Sequence, residues 1–416
     1  MFVISGRGDE ENMGKRVLFV DEDQGRHGST VSMEYLVRGF RLQGYDVFVL
    51  TWKTEPQARA KLEEHATLID GVWGPVTTIT MCVHFVYTDS PFSVRGFLMI
   101  VKDVIKFITG LVIVMKTIRS IRPDVVYVNE YSAVQASLAA WFMGVPSVMH
   151  IRSLMLKGTF GFRKYALTRL VLACNRKVFA ITAREAGQLR PGVGDRHKVN
   201  VVGEFVPKIG TLDADPDEIR RRFGMSSSAK IVAMLGGIQE IKGSIDFLRA
   251  ARFVAARSPN VKFVIAGKDF SNGNSKVREY YSECMKVVDD LRTGDLIRML
   301  GNISNPLDLI SVSDIVVSPS SQSHFSRPVV EAWAHAKPVV AARTEHMADL
   351  IAHDVDGLLY AVRDSEECGK AILRLLQDER LCRKLGEAGK KKSFVGFDAE
   401  RNTRKIVDAC TMLLLT

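Results

Sequence analysis

Twice along this chain, short runs of β-branched and other apolar residues alternate with stretches of helical periodicity. The first series has apolar runs at 15–21 (KRVLFVD), 46–51 (DVFVLT), 124–129, 146–149, 177–182 and 199–202. The second restarts at 230–235, continues through 261–267, 297–301 and 314–317, and closes at 357–360. Strands that are apolar throughout and separated by helices predict parallel sheets covered on both faces. Two series predict two doubly wound domains, and 416 residues are enough for two cores. The expected division is a loose leader over 1–14, a first domain over 15–205, a second over 206–395, and a C-terminal helix over 396–416 that packs back on the first. Residues 203–207 form the expected hinge.

The net charge of +10 and pI near 9.3 suit anionic sugar donors, acidic lipid headgroups or nucleic acid. No run of Lys/Arg with interleaved aromatics, zinc-finger spacing or RNA-binding signature is present, so nucleic acid is not an expected partner. The six cysteines (Cys82, Cys174, Cys284, Cys368, Cys382 and Cys410) are scattered and show no Cys-x-x-Cys. They read as reduced thiols of a cytoplasmic protein, neither a disulfide framework nor a metal site.

The most apolar helix is expected over 94–119. Phe97, Val101, Val104, Ile108, Leu111, Met115 and Ile118 repeat at spacings of three and four and predict the buried face. Lys102, Asp103 and Lys106 interrupt the run well short of a membrane span. The alternative is a peripheral helix resting on the inner face of an anionic membrane, where Arg95, Lys116, Arg119 and Arg122 would meet headgroups.

Residues 318–341 carry the most chemistry. An apolar strand feeds a polar loop, Ser320 to Ser326, and then a short helix that Lys337-Pro338 stops. Pro328 suits a first helical turn, where its missing N–H costs nothing. The loop thus ends on a helix N-terminus, whose N–H groups and dipole favour a phosphate. Glu331, one turn further in, offers two acceptor oxygens to a vicinal diol such as a ribose. By itself such a carboxylate also complements the helix dipole.

This stretch resembles the nucleotide-sugar signature of family-4 glycosyltransferases, retaining enzymes of the GT-B fold: Glu-x7-Glu, then Ala-Met/Trp-Ala and Gly-x-Pro-Val-Val-Ala. Glu331, Ala332-Trp333-Ala334 and Lys337-Pro338-Val339-Val340-Ala341 follow that register, whereas Ser323 stands where the first glutamate would face the donor sugar. The resemblance implies two Rossmann-like domains facing across a cleft, with the nucleotide diphosphate-sugar held by the second. Gly236-Gly237 and Lys242-Gly243 are similar to the family's Gly-Arg-Leu-x-x-x-Lys-Gly. Lys242 then matches the diphosphate-holding lysine, and Gly237 replaces the arginine. The amides around Ser326 and Arg327 would hold phosphates, with Arg327 a substitute for the missing arginine. Ser323 and His324 would lie near the sugar, and Phe325 would also belong to the donor site. In the first half, Gly28 belongs to a loop near the donor, and His150, just after a strand, matches a histidine position facing the sugar. Glu204-Phe205 replaces an Asn-Gly. Glu345 and His346 replace two glycines in a loop over 344–351, where Asp349 matches the family's acid.

A dinucleotide enzyme is disfavoured, because Gly-x-Gly-x-x-Gly is absent and the second strand ends without an acid. Paired glycosidase carboxylates and a Gly-x-Ser-x-Gly elbow are also missing, and the Ala-Trp-Ala signature disfavours a nucleotide-sugar epimerase. The sequence therefore reads as a cytoplasmic transferase of glycoconjugate or polysaccharide synthesis. It would move a sugar to a carbohydrate or lipid-linked hydroxyl with no cofactor and no metal. The alternative is a catalytically weakened nucleotide-sugar-binding or partner protein of such a system, motivated by Ser323, Gly237, Glu345 and His346.

Overall fold

The computed structural model describes residues 14–21, 28–51, 54–70, 93–155, 161–190, 192–207, 215–268, 273, 275–292 and 296–415. The expected leader, apart from Gly14, and the loop over 25–27 lie outside these residues. The chain divides into two compact units, Met1–Phe205 with Ala399–Thr416, and Val206–Asp398.

Among the described residues the first unit holds seven strands: β1 (Arg16–Val20), β2 (Asp46–Thr51), β3 (Thr67–Asp70), β4 (Val125–Asn129), β5 (Ser147–Ile151), β6 (Lys177–Ala180) and β7 (Val199–Val201). They pair in parallel in the order β3-β2-β1-β4-β5-β6-β7. Helices lie on both faces, so β4 and β5 are buried from end to end, as all-parallel strands must be. The C-terminal helix Ala399–Leu415 belongs to this unit, and its Ile406, Val407 and Cys410 pack with Phe40 and Tyr45. Gly39 permits that approach, since a Cβ there would stand 2.1 Å from Thr403 Cγ2.

The second unit holds β8 (Lys230–Leu235), β9 (Val261–Ala266), β10 (Ile297–Gly301), β11 (Ile315–Ser318), β12 (Val339–Ala342) and β13 (Leu358–Tyr360). Their order is β10-β9-β8-β11-β12-β13, again parallel throughout.

Several expectations change. β5 runs on to Ile151, so His150 sits inside the strand, opposite Asn129, instead of following it. The stretch expected as a loop over 344–351 contains a helix, Glu345–Leu350. Helices Pro56–Glu63 and Pro306–Val312, each with proline in its first turn, and strand β3 had no counterpart in the sequence reading. The helix Val94–Ile121 packs through Ile113, Val114, Ile118 and Ile121. The stripe predicted as its buried face is instead exposed over its first half: Phe97 is 60%, Val104 51% and Ile108 54% exposed. Among the described residues, no helix is long and apolar enough to cross a membrane.

Candidate functional site

In the second unit the strand order reverses between β8 and β11, the point where open α/β sheets bind their ligands. The loops leaving those two strands carry most of the predicted donor residues. Gly236 and Gly237 end β8 with φ of +124° and +71°, and a Cβ on Gly237 would lie 2.3 Å from the Lys268 carbonyl oxygen. One turn later, Glu240–Lys242 closes on Gly243, whose φ is +69° and whose absent Cβ leaves room for the Pro319 carbonyl. The β8 loop therefore rests directly on the β11 loop. Ser321 fastens the two, its N–H donating to Ile241 O at 3.1 Å and its hydroxyl to Glu240 O at 2.6 Å.

That approach places Lys242 Nζ 2.8 Å from His324 Nε2. His324 Nδ1 donates to Gln322 O at 3.0 Å, which leaves the Nε2 lone pair to accept from the ammonium. Burial and the neighbouring Lys242 bring the His324 pKa down to about 4, so the ring is neutral at pH 7. Burial also lowers the Lys242 pKa. The lysine charge is thus held by a neutral imidazole.

Ser323 accepts from the His346 N–H at 3.2 Å, and its hydroxyl lies 2.8 Å from His346 Nδ1. Ser326 precedes the helix Arg327–Ala334, which has Pro328 in its first turn and no side-chain cap. Ser318 donates to the Ser326 hydroxyl at 2.9 Å. Arg327 Nε donates to Glu331 Oε1 at 2.6 Å, one turn along, with both side chains largely buried. Phe325 packs against Phe397, ring centroids 5.9 Å apart. Trp333 anchors the helix: it is fully buried, donates through Nε1 to Asp356 O at 2.8 Å, and fills space left by Gly389. Gly236, Gly237, Lys242, Ser323, His324, Phe325, Ser326, Arg327 and Glu331 therefore belong to one unit. His346 entered the sequence reading only as a departure.

Gly28 and His150 belong to the other unit. Gly28 opens the helix Gly28–Leu42, and its carbonyl accepts from Ser32 at 3.3 Å. His150 is fully buried among Tyr127, Phe179 and Phe205. Its Nδ1 lies 2.7 Å from the Tyr127 hydroxyl and 3.3 Å from Arg152 Nη2, and burial together with Arg152 keeps the ring neutral.

Around it lies a polar network at the carboxyl edge of β1, β4 and β5. Arg152 donates to Asn129 Oδ1 at 2.9 Å and to Glu204 Oε1 at 2.8 Å, and Asn129 donates to Asp21 Oδ1 at 3.0 Å. Ser32 bonds to Glu204. Glu130, on a backbone with φ of +115°, accepts from the Tyr131 and Arg152 N–H groups at 2.9 and 3.1 Å. Burial lifts its carboxyl to about 7, against the opposing pull of those N–H groups and Arg152. Thr30 Oγ1, Ser132 Oγ and Gln135 Oε1 are buried at the same edge without a hydrogen-bond partner among the described residues. Glu204 was visible in sequence only where it replaces an Asn-Gly, and Glu130 gave no signal.

Two Rossmann-like units of this kind constitute the GT-B fold. The solved structure of Anabaena HepE in complex with UDP-glucose shares it, with a TM-score of 0.73 at 18% identity over 95% of this chain and 99% of that one. Residues 215–392 match the family model of glycosyl transferases group 1, and residues 27–203 that of the glycosyl transferase 4-like domain. Between them the two models span most of the chain, which belongs to this family of glycosyltransferases. Among curated relatives, N-acetyl-alpha-D-glucosaminyl L-malate synthase of Bacillus anthracis is 24% identical over 49% of this chain and 51% of its own length. D-inositol 3-phosphate glycosyltransferase of Thermomonospora curvata is 27% identical over 54% of each. The matches thus span about half the length of these relatives.

Proposed function

We propose that the protein transfers a sugar from a nucleotide diphosphate-sugar to a hydroxyl of a carbohydrate or lipid-linked acceptor, with retention at the anomeric carbon and without a metal. The carrying observation is the half-buried Lys242 ammonium, held only 2.8 Å from a neutral imidazole at the reversal point of the second sheet. A buried cation facing a neutral partner favours an anion beside it. Lys242, Arg327 and the N–H groups at the start of helix Arg327–Ala334 hold the diphosphate and stabilise the charge that grows on it as the sugar departs. No metal is needed to supply that charge. Glu331 takes the ribose diol, and Ser323 with His324 meets the sugar.

The unpartnered Thr30, Ser132 and Gln135 support placing the acceptor on the first unit. His150 acts there from the core by holding Arg152. The reading of a weakened partner protein is not favoured, because the family models match through both units. The nucleotide-sugar complex of HepE supports the donor class.

The test is thermal stability with UDP, GDP, ADP or dTDP and their sugars, followed by release of the nucleotide diphosphate. One base at 100 times its Kd should stabilise the parent by about 2.7 kcal/mol. Glu331→Gln, which keeps a hydrogen-bonding partner for Arg327, should show little of that response. An equal response in parent and variant removes Glu331 from the site, and no response to any nucleotide overturns the reading.

A further inference from the structure

The helix Val94–Ile121 is apolar on two faces, and among the described residues only one packs into a core. Ile113, Val114, Ile118 and Ile121 pack into the first unit. The opposite stripe, Val94, Phe97, Leu98, Val104, Ile105 and Ile108, is 51–80% exposed. Length explains the imbalance: twenty-eight helical residues span roughly 42 Å, whereas a five-residue strand such as β4 spans about 17 Å. A helix so much longer than the strands leaves part of its length without sheet to cover.

The surroundings of the stripe carry one sign of charge. Asp103 is the sole acid in this helix, against five basic residues, of which Lys102, Lys116 and Arg119 are exposed. Lys116 and Arg119 are exposed roughly two to three turns beyond Ile108, the last residue of the stripe. Helices that join parallel strands run antiparallel to them, so Phe162–Cys174, between β5 and β6, starts at the same carboxyl edge. It contains no acid, and its Phe162 and Tyr165 are 74% and 60% exposed beside Arg163 and Lys164. Exposed aliphatic and aromatic side chains fringed by cations match the acyl boundary and headgroups of an anionic bilayer. A second copy meeting this face through the same surface would bring like charges together.

We propose that the Phe97–Ile108 stripe docks the protein on an anionic lipid bilayer, apolar side chains entering the headgroup boundary and the flanking lysines and arginines meeting the headgroups. The experiment sediments the full-length protein with vesicles of phosphatidylglycerol and phosphatidylcholine in equal parts, and with phosphatidylcholine alone. The parent should bind the anionic vesicles and release as salt rises. Leu98→Asp with Ile105→Asp should weaken partition by about tenfold or more, and Lys102→Glu with Arg119→Glu should remove the salt-sensitive part. These side chains are exposed, so the melting temperature of each variant should match the parent and separate lost docking from lost folding. Absence of parent binding, or equal binding by parent and the Leu98/Ile105 variant, overturns the proposal. A dimer in solution that the aspartates dissolve overturns it in favour of a second copy. The assay contains no donor, so its failure leaves the proposed transfer reaction untouched.

Discussion

At Glu130 a carboxylate is buried on a backbone with φ of +115°, a region non-glycine residues rarely occupy, and strain of this kind gathers at functional edges. Its carboxyl rises from 4.5 to about 7 through burial. Between those values the native state keeps a proton that the unfolded chain has released, so stability is complete below pH 4.5 and falls as pH rises to 7. The size is about 3 kcal/mol. Denaturant unfolding across that range should show the fall in the parent and its absence in Glu130→Gln; equal slopes would remove Glu130 as the source. No sequence pattern marked this residue. Ser323 and Glu331 stood out because one local motif fixes their register, and Lys242 because a second does. His346 and Glu204 act through partners 23 and 52 positions away, at Ser323 and Arg152, and no local spacing encodes that.

Apolar runs bounded by charge or glycine set the edges of β2, β8 and β10, which the sequence located to the residue, and the C-terminal helix expected over 396–416 runs over Ala399–Leu415. Periodicity failed where a helix is apolar on two faces: over 94–121 it shows that a stripe exists but not which stripe packs. It also passed over short helices such as Pro306–Val312, which offer too few turns to display a period. The turn at Gly243 was legible as Lys-Gly, but its reason was not. Only the structure shows the Pro319 carbonyl oxygen 1.8 Å from where a Cβ would be. Backbone there cannot yield as a flexible side chain would. Gly243→Ala, strained both by φ of +69° and by that contact, should cost more than ~2 kcal/mol. It should also separate Lys242 from His324. A urea midpoint equal to the parent's would show that the two loops are not held in this contact.

The chain leaves the first unit after Phe205 and returns at Ala399, and a hydrogen bond closes each unit at the crossing. Val206 N–H donates to Phe397 O at 2.8 Å in the second unit, and Asn402 Nδ2 donates to the Gly203 carbonyl at 3.1 Å in the first. The first unit is therefore discontinuous and depends on the last residues of the chain for its core, whereas the second is a single segment. Ending the chain at Asp398 would strip Ile406, Val407 and Cys410 from Phe40 and Tyr45, and remove the Thr411 bond to the Tyr45 hydroxyl at 2.8 Å. Burial of those side chains contributes on the order of 5 kcal/mol, a large share of what a domain of this size has in total. None of the residues removed lies in the cores of the second unit, which reach only to Phe397. Calorimetry of the truncated protein should show one transition lowered by roughly 10–20 °C or lost, and a second that stays where the parent has it. Nucleotide stabilisation should follow the surviving transition, because Lys242, Arg327 and Glu331 all belong to Val206–Asp398. If both transitions fell together, the second unit would owe its stability to the first, and the donor site would not be the property of a single segment.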